Sequence, residues 1–267
     1  MRFKFGKNWK QYIKTINESK IEAAFISLSK SIGLTDLTNK SFIDIGCGSG
    51  LMSLVAQKMG ASVFSFDYDK DSVEASKFIR DKFASSSNWQ IERGSVLDCD
   101  YLNSLGKYDI VYSWGVLHHT GNMWQAFKNI LSLTKQNGII FIAIYNDQGF
   151  TSKFWKGVKY IYNSNVFGKL LVSAIFIPYF YLVGSIMRLI KYTNQSSEIK
   201  GYKKNRGMNI YHDIIDWIGG YPFEVAKPDE IFNFFSNKGY SLKYLKTTTS
   251  VGCNEYVFVK NNALYVD

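Results

Sequence analysis

The stretch Ser41–Met59 constrains the fold more than any other. It runs from an apolar strand pattern, Ser41-Phe-Ile-Asp-Ile45, through Gly46-Cys-Gly-Ser-Gly50 into a helical pattern with Leu51, Leu54, Val55 and Met59 on one face. Three glycines in five residues let the backbone turn tightly and approach a ligand closely. A strand, a tight turn and a helix in that order place the turn at the carboxyl edge of a parallel sheet, where open α/β sheets bind ligands. A dinucleotide fingerprint of the GxGxxG kind needs a glycine at position 51, and Leu51 stands there.

The alternation continues along the chain. Strands are expected at Ser62–Phe66, Trp89–Glu92, Tyr108–Ser113 and Gly138–Ile144, and helices at Lys70–Phe83, Tyr101–Leu105 and Asn122–Thr134. Asn122 and Gln125 have the spacing of a capping pair. The 138–144 run is almost wholly apolar, as when both faces of a sheet are covered. After a long insert, Pro228–Lys238 reads as a helix opened by Pro, Asp and Glu, and Gly239 ends it. Ser241–Thr247 and Glu255–Val259 are the last expected strands. The fold class is therefore α/β, a seven-stranded, mostly parallel sheet with a C-terminal antiparallel hairpin and a helical insert. The chain divides into an N-terminal helical cap over 1–39, a ligand-binding core over 40–147, the insert over 148–227 and the end of the core sheet over 228–260. Ile21, Ala24, Phe25, Leu28 and Ile32 make an apolar packing stripe on the cap.

The 267 residues suffice for a full hydrophobic core, and 46% apolar with 16% aromatic residues excludes a disordered or collagen-like chain. Three scattered cysteines, Cys47, Cys99 and Cys253, offer neither a disulfide framework nor a metal cluster, and no metal is expected. A reducing, cytoplasmic setting follows, and the basic, polar start lacks the apolar core of a secretory signal.

The net charge of +10 is concentrated. Between Thr151 and Ile210 lie ten basic residues and one acid, Glu198, so that segment carries +9. Inside it, Leu170–Met187 is 18 residues without a charge, close to a bilayer-spanning length. Pro178 and Gly184 point to two shorter helices there. A single membrane crossing is rejected, because it would put strands of one sheet on opposite sides of the bilayer. The insert then serves as a lid or homodimer element, or as an interfacial hairpin whose basic flanks, over 167–206, favour anionic lipid.

Past the glycine loop, Asp67 ends the second strand, where a carboxylate can accept both hydroxyls of a ribose, and Asp69 and Asp71 suit a helix cap. With these residues the sequence resembles the class I S-adenosylmethionine-dependent methyltransferases. Asp44-Ile-Gly-Cys-Gly-Ser-Gly50 is similar to their first motif, Ser65-Phe-Asp-Tyr-Asp69 to their second, and Gly94-Ser-Val-Leu-Asp98 to the adenine segment. Tyr112-Ser-Trp-Gly-Val-Leu-His-His-Thr-Gly121 and Leu133–Ile144 match the blocks around strands four and five. The likeness covers about 40–145 and 228–260 and implies a Rossmann-like methyltransferase fold. Longer strings, YSWGVLHHTGNMW, IAIYNDQG, RGMNIYHDIIDWIGGYPFEVAKP and GCNEYVF, resemble a bacterial subgroup loosely labelled ubiquinone- or menaquinone-type methylases. The resemblance implies S-adenosylmethionine as cofactor and S-adenosylhomocysteine as product. It implies that Gly46, Cys47, Gly48 and Gly50 line the methionine part, with Asp44 near the ammonium. Asp67 and Tyr68 would hold the ribose side, Ser95 and Val96 would frame adenine, and Trp114 would stand beside the cofactor. Ser95 occupies the place of a more usual Asp.

Methyl transfer needs a positioned acceptor and, for oxygen or nitrogen, a group to take its proton. His118 and His119 follow strand four at the ligand edge. They are the first candidate bases, His118 ahead of His119, against the alternative that they brace the loop. Tyr145, Asn146 and Asp147 follow strand five and can orient an acceptor. A second cluster holds Arg206, Tyr211, His212, Asp213, Asp216 and Trp217. There His212 and Asp216, four apart on a helix, form either a base with its orienting carboxylate or a solvated pair. Arg206 with Lys203 and Lys204 suits a phosphate or carboxylate. The leading expectation is O-methylation of a small polar or phosphorylated metabolite, such as a surface-glycan or capsule precursor. Alternatives are a lipid-linked or quinone-type acceptor at the membrane, RNA, and a non-catalytic cofactor-binding scaffold. Nucleic acid is disfavoured: the positive charge is split by an apolar run, and Ser113-Trp-Gly-Val replaces the N/D-PP-Y/F signature of base N-methylation.

Overall fold

The computed structural model describes residues 1–84, 88–192, 210–250 and 252–262, with side chains throughout except at 186–192, 210 and 212. Seven strands form one sheet: β1 (Ser41–Ile45), β2 (Ser62–Asp67), β3 (Trp89–Arg93), β4 (Tyr108–Trp114), β5 (Thr134–Tyr145), β6 (Tyr240–Lys246) and β7 (Cys253–Lys260). Their order is β3-β2-β1-β4-β5-β7-β6. The first five run parallel, and β7 pairs antiparallel with both β5 and β6. The expected α/β class with its C-terminal hairpin is what the chain adopts.

Alternate strand residues enter opposite layers, as the two-residue period of a strand requires. Phe42, Val63, Ile110 and Phe141 meet helices α2 (Glu18–Ile32), α3 (Leu51–Lys58) and α4 (Lys70–Phe83) on one face. Ile43, Phe66, Val111 and Ile142 meet α5 (Cys99–Ser104), α6 (Met123–Ser132) and α10 (Pro228–Ser236) on the other. The stripe expected on the N-terminal region is α2, with Ile21, Ala24, Leu28 and Ile32 buried. A short α1 (Gly6–Tyr12) precedes it.

Three local expectations are corrected. Asn122 makes no side-chain cap for α6. The cap comes from a distance: the Glu224 carboxylate accepts from Gly121 N at 3.0 Å and Met123 N at 3.1 Å. The expected helix to Thr134 stops at Ser132, because β5 begins at Thr134 with its backbone already beside Tyr108. Leu170–Met187 is not two helices: it lies within one, α8 (Val166–Tyr192), which keeps Pro178 inside. Trp155 of α7 (Phe150–Ser164) holds both sides of the proline, with Phe176 at 5.2 Å and Phe180 at 5.7 Å between ring centroids. These aromatic contacts offset the one backbone hydrogen bond that proline removes. Helices α7, α8 and α9 (Ile210–Gly219) share a separate apolar cluster of Val158, Tyr162, Val172, Ile214 and Ile218.

Because the cap on α6 is a single distant carboxylate, replacing it isolates its contribution. Glu224→Ala is expected to lower unfolding stability by about 1–2 kcal/mol, read as a fall in melting temperature with the sheet's circular dichroism retained.

Candidate active site

The glycine loop adopts a conformation few other residues tolerate. Gly46, Gly48 and Gly50 have φ of 77°, 55° and 76°. A Cβ on Gly50 would lie 2.9 Å from the Ser76 backbone, and one on Gly48 would lie 3.0 Å from the Trp9 indole. The loop is locked from the next strand. Asp67, at the end of β2, accepts from Gly48 N at 3.1 Å and from Asp69 N at 2.8 Å. Asp69 in turn accepts from Asp71 N and caps α4, as expected.

Asp44 is buried in mid-sheet, beside Ser65 of β2 and Tyr112 of β4 in register. It accepts from the Ser53 hydroxyl, which is 2.7 Å from Ser65 Oγ, and Trp89 Nε1 donates to that same oxygen at 2.8 Å. Burial pushes the Asp44 carboxyl up to about 7 despite the Ser53 hydrogen bond, and nearby Asp67 adds to the rise. Burial likewise raises Asp67 to about 6, against the pull of the Asp69 and Gly48 backbone donors. Asp67 is offset only in part by the Arg2 guanidinium, and such raised carboxyls suit a ligand that brings an ammonium and hydroxyl donors.

Two connected spaces meet at the loop. A small cavity of about 40 Å³ is bounded by Asp67, Tyr68, Ser95, Val96, Val116 and Thr120. A cleft of about 1100 Å³ extends from Asp67 and Asp44 past the glycines to Trp114, Tyr145 and Trp217. A glycine cradle, a carboxylate at the strand end, a small cavity beside it and a buried acid fit S-adenosylmethionine. The structure brings the expected cofactor residues Asp44, Gly46, Cys47, Gly48, Asp67, Tyr68, Ser95, Val96 and Trp114 onto these two walls. Gly50 lies behind them against α4. Ser95 uses its hydroxyl to accept from Leu97 N at 3.2 Å.

The acceptor candidates separate. His118 is fully buried, behind Tyr145 with ring centroids 4.1 Å apart, and it is absent from the cleft wall, which corrects its rank over His119. His119 lines the cleft, with Nδ1 2.6 Å from the Pro222 carbonyl oxygen. A carbonyl only accepts, so that nitrogen carries the proton and Nε2 is left as an acceptor. Burial pulls His119 down to about 3 and His118 well below its ordinary value, so both rings are neutral near pH 7.

Asn146 and Asp147 are corrected from acceptor groups to struts. Asn146 bonds the Thr248 carbonyl and Asn254, and Asp147 accepts from Gly149 N at 2.8 Å. Tyr145, Asp213, Asp216 and Trp217 line the cleft, whereas Tyr211 is exposed away from it. Asp216 accepts from Asn8 Nδ2 at 2.5 Å. The side chain of His212 and all of Arg206 lie outside the described residues, as do Lys203 and Lys204.

Sequence reasoning missed two groups. The N-terminal residues Arg2, Phe5 and Trp9 line the cleft, and only their aromatic and basic character hinted at it. Lys159 is fully buried, donates to the Trp217 carbonyl and sits 4.2 Å from the Trp217 ring. Burial lowers it to about 7, with Asp216 pulling it back up. Its signal was a lysine on the apolar face of α7, between Trp155 and Tyr162.

The two raised carboxyls set a pH dependence. A ligand ammonium needs Asp44 ionised, so S-adenosylhomocysteine affinity is expected to fall about tenfold from pH 8 to pH 6, measured by titration calorimetry. In the free protein both folded values exceed the unfolded one near 4. Stability is therefore lost as pH rises through the 4–7 window, and Asp44→Asn is expected to flatten both profiles.

Residues 36–202 match the family described as "Methyltransferase domain". The ubiquinone biosynthesis O-methyltransferase of Pelagibacter ubique is 33% identical over 110 residues, 41% of this chain and 44% of that protein. The Coxiella burnetii (strain RSA 493 / Nine Mile phase I) protein of the same name is 26% identical over 129 residues, 48% of this chain and 53% of the relative. The chain thus spans about half the length of the curated relatives it matches. Among solved structures, magnesium protoporphyrin IX methyltransferase from Synechocystis PCC 6803 with bound SAH superposes at a TM-score of 0.56. The match has 13% identity and covers 96% of this chain and 94% of that one. An O-methyltransferase family protein from Burkholderia thailandensis gives 0.53 at 9% identity, over 84% and 52%. At such identities the structures speak for the fold alone, whereas the family match covers more than half of the chain. The chain belongs to the methyltransferase-domain family, whose cofactor is S-adenosylmethionine.

Proposed function

We propose that the chain transfers the methyl group of S-adenosylmethionine to a hydroxyl of a small acceptor with a planar, largely apolar ring, a quinol or catechol in chemical class. The observation that carries this reading is the acceptor half of the cleft, walled by Trp114, Tyr145, Phe180 and Trp217. Tyr145 and Trp217 meet edge to face with centroids 5.7 Å apart, and Trp155 braces Trp217 from behind at 5.4 Å. Such rings favour a flat apolar partner. Lys203, Lys204 and Arg206, on which a phosphorylated or glycan-like acceptor rested, lie outside the described residues, and the aromatic rings stand beside the carboxylates of Asp213 and Asp216 in the same cleft. The curated relatives named as ubiquinone biosynthesis O-methyltransferases agree in direction.

When bound, S-adenosylmethionine would supply an electrophilic methyl on a sulfonium, to whose carbon the acceptor oxygen would bond as the carbon–sulfur bond breaks and its electron pair returns to sulfur, leaving S-adenosylhomocysteine. Asp67 would hold the ribose hydroxyls, Asp44 the ammonium side, and Ser95 with Val96 the base. His119 accepts the acceptor's proton at Nε2, while its Nδ1–H stays on the Pro222 carbonyl and fixes the ring. Its low basicity means the proton moves with the methyl and not before it. The same value keeps His119 neutral across pH 5–8, so any loss of rate on acidification follows Asp44 and Asp67.

With 4-nitrocatechol as the probe acceptor, His119→Ala is expected to cut turnover about 10²-fold and leave S-adenosylhomocysteine affinity within twofold. His118→Ala is expected to lower the melting temperature and spare turnover. Turnover of 4-nitrocatechol unaffected by His119→Ala would remove it as the base. Methylation of a sugar phosphate in place of the catechol would overturn the acceptor class.

We further propose that α7 and α8 rest on an anionic membrane surface at its cytoplasmic face. Val166–Ser185 is long and apolar enough for a span, yet only 11% of it is buried, and Phe167, Leu170, Leu171 and Leu182 are exposed. Lys153 and Lys156 on α7 and Lys169 on α8 are exposed as well, and add positive charge to the same helix pair. β1–β5 precede this helix and β6 and β7 follow it in one sheet, which excludes a single net crossing and supports a helix that lies on the bilayer. Vesicles of phosphatidylglycerol are expected to sediment the protein in low salt, and Leu170→Asp with Leu171→Asp to abolish this. Sedimentation as a stable dimer without vesicle binding would assign the face to a second copy.

A further inference from the structure

We infer that residues 2–10 form a further wall of the cofactor site, a strap that must lift for S-adenosylmethionine to enter and S-adenosylhomocysteine to leave. The inference rests on the reading of the glycine loop as the cofactor cradle, and goes beyond it by adding binding residues from a segment outside the family match over 36–202.

The strap is tied to the core at the cofactor's end. Gly6 N donates to Asp69 Oδ2 at 3.1 Å, and Lys10 Nζ meets Asp71 Oδ1 at 2.8 Å. Asp69 is the residue whose backbone N–H holds Asp67, so the strap and the ribose acid share one short turn. Both ends of the cofactor site are then covered. The Arg2 guanidinium lies 4.3 Å from the centre of the Tyr68 ring, and Arg2 helps bound the small cavity beside Asp67, Ser95 and Val96. Its charge also draws down the Asp67 carboxyl, against the burial that raises it. The Trp9 indole closes on Gly48, where even a Cβ would be 3.0 Å away.

The same segment reaches the acceptor half. Phe3 N donates to the Tyr221 carbonyl at 2.8 Å, Phe5 packs on His119 at 4.9 Å between centroids, and Asn8 holds Asp216. Nine residues thus touch the loop over 46–48, the ribose acid's turn, the proposed base and α9. The Trp9 indole lies directly against Gly48 and leaves no room between them, so a ligand that rests on that face of the glycine has to displace the ring. Because Asn8 binds α9 and Arg2 borders the cofactor cavity, release of cofactor is mechanically joined to the state of the acceptor wall.

Stopped-flow fluorescence with S-adenosylhomocysteine tests the strap, with limited trypsin digestion after Lys4, Lys7 and Lys10 as a second readout. In the double variant Arg2→Met with Asn8→Ala, which leaves Trp9 and the core in place, dissociation is expected to be at least tenfold faster with the melting temperature near that of the parent. Saturating S-adenosylhomocysteine is expected to slow cleavage of the parent at those lysines severalfold. A dissociation rate within twofold of the parent, or cleavage indifferent to the ligand, overturns the strap alone. Absence of S-adenosylhomocysteine binding by the parent overturns the cofactor reading and the strap with it.

Discussion

The site depends on one carboxylate gripping backbone. Asp67 ends β2 and accepts from Gly48 N and Asp69 N, so a single side chain fixes both the glycine loop after β1 and the turn that leads into α4. The loop can be gripped only because its glycines accept left-handed backbone angles that bring their N–H groups round to face β2. Everything downstream uses that geometry. The cleft begins at the loop, the strap docks on the turn, and the buried acid Asp44 faces the space that the turn keeps open.

The second dependence is electrostatic. Asp44 and Asp67 are both held above their ordinary range by burial, and the nearby arginine offsets this only in part. Buried acids in this state are costly to the free protein and become favourable when a cationic, hydroxyl-rich ligand arrives. The Ser53–Ser65–Trp89 chain keeps the Asp44 carboxyl in place meanwhile, so the ligand meets a group that is oriented before it binds. Lys159 shows the same economy on the acceptor side, a cation packed between the Trp217 and Phe223 rings and tied to a backbone carbonyl.

The sheet, its helices and the glycine loop were legible because they depend on local period and on residues such as Gly46 and Asp67, whose backbone or terminal position has one use. What was not legible depended on long-range partners. The cap of α6 looked like Asn122 and is Glu224, about a hundred residues away. Pro178 predicted a break that Trp155, on another helix, bridges. Asn146 and Asp147 had the chemistry of acceptor groups, and only the pairing of β5 with β7 shows that they brace Thr248, the start of β7 and the start of α7. His118 and His119 are identical in type and adjacent in sequence. A single 3₁₀ turn over Leu117–His119 decides which of them faces the cleft.

Strand order has a further consequence for the life of the polypeptide. β5 ends at Tyr145, yet its free edge is covered only by β7, whose first residue is Cys253. A ribosome therefore releases more than a hundred residues, including the long apolar helix α8, while one edge of the nascent sheet remains unpaired. Open strand edges and apolar surface are the features that drive aggregation during synthesis. The antiparallel pairing closes after the parallel strands are made, so assembly of the acceptor wall waits on the segment from Cys253 onward. A chain stopped short of Cys253 would carry the complete glycine cradle and still be a substrate for chaperones and proteases.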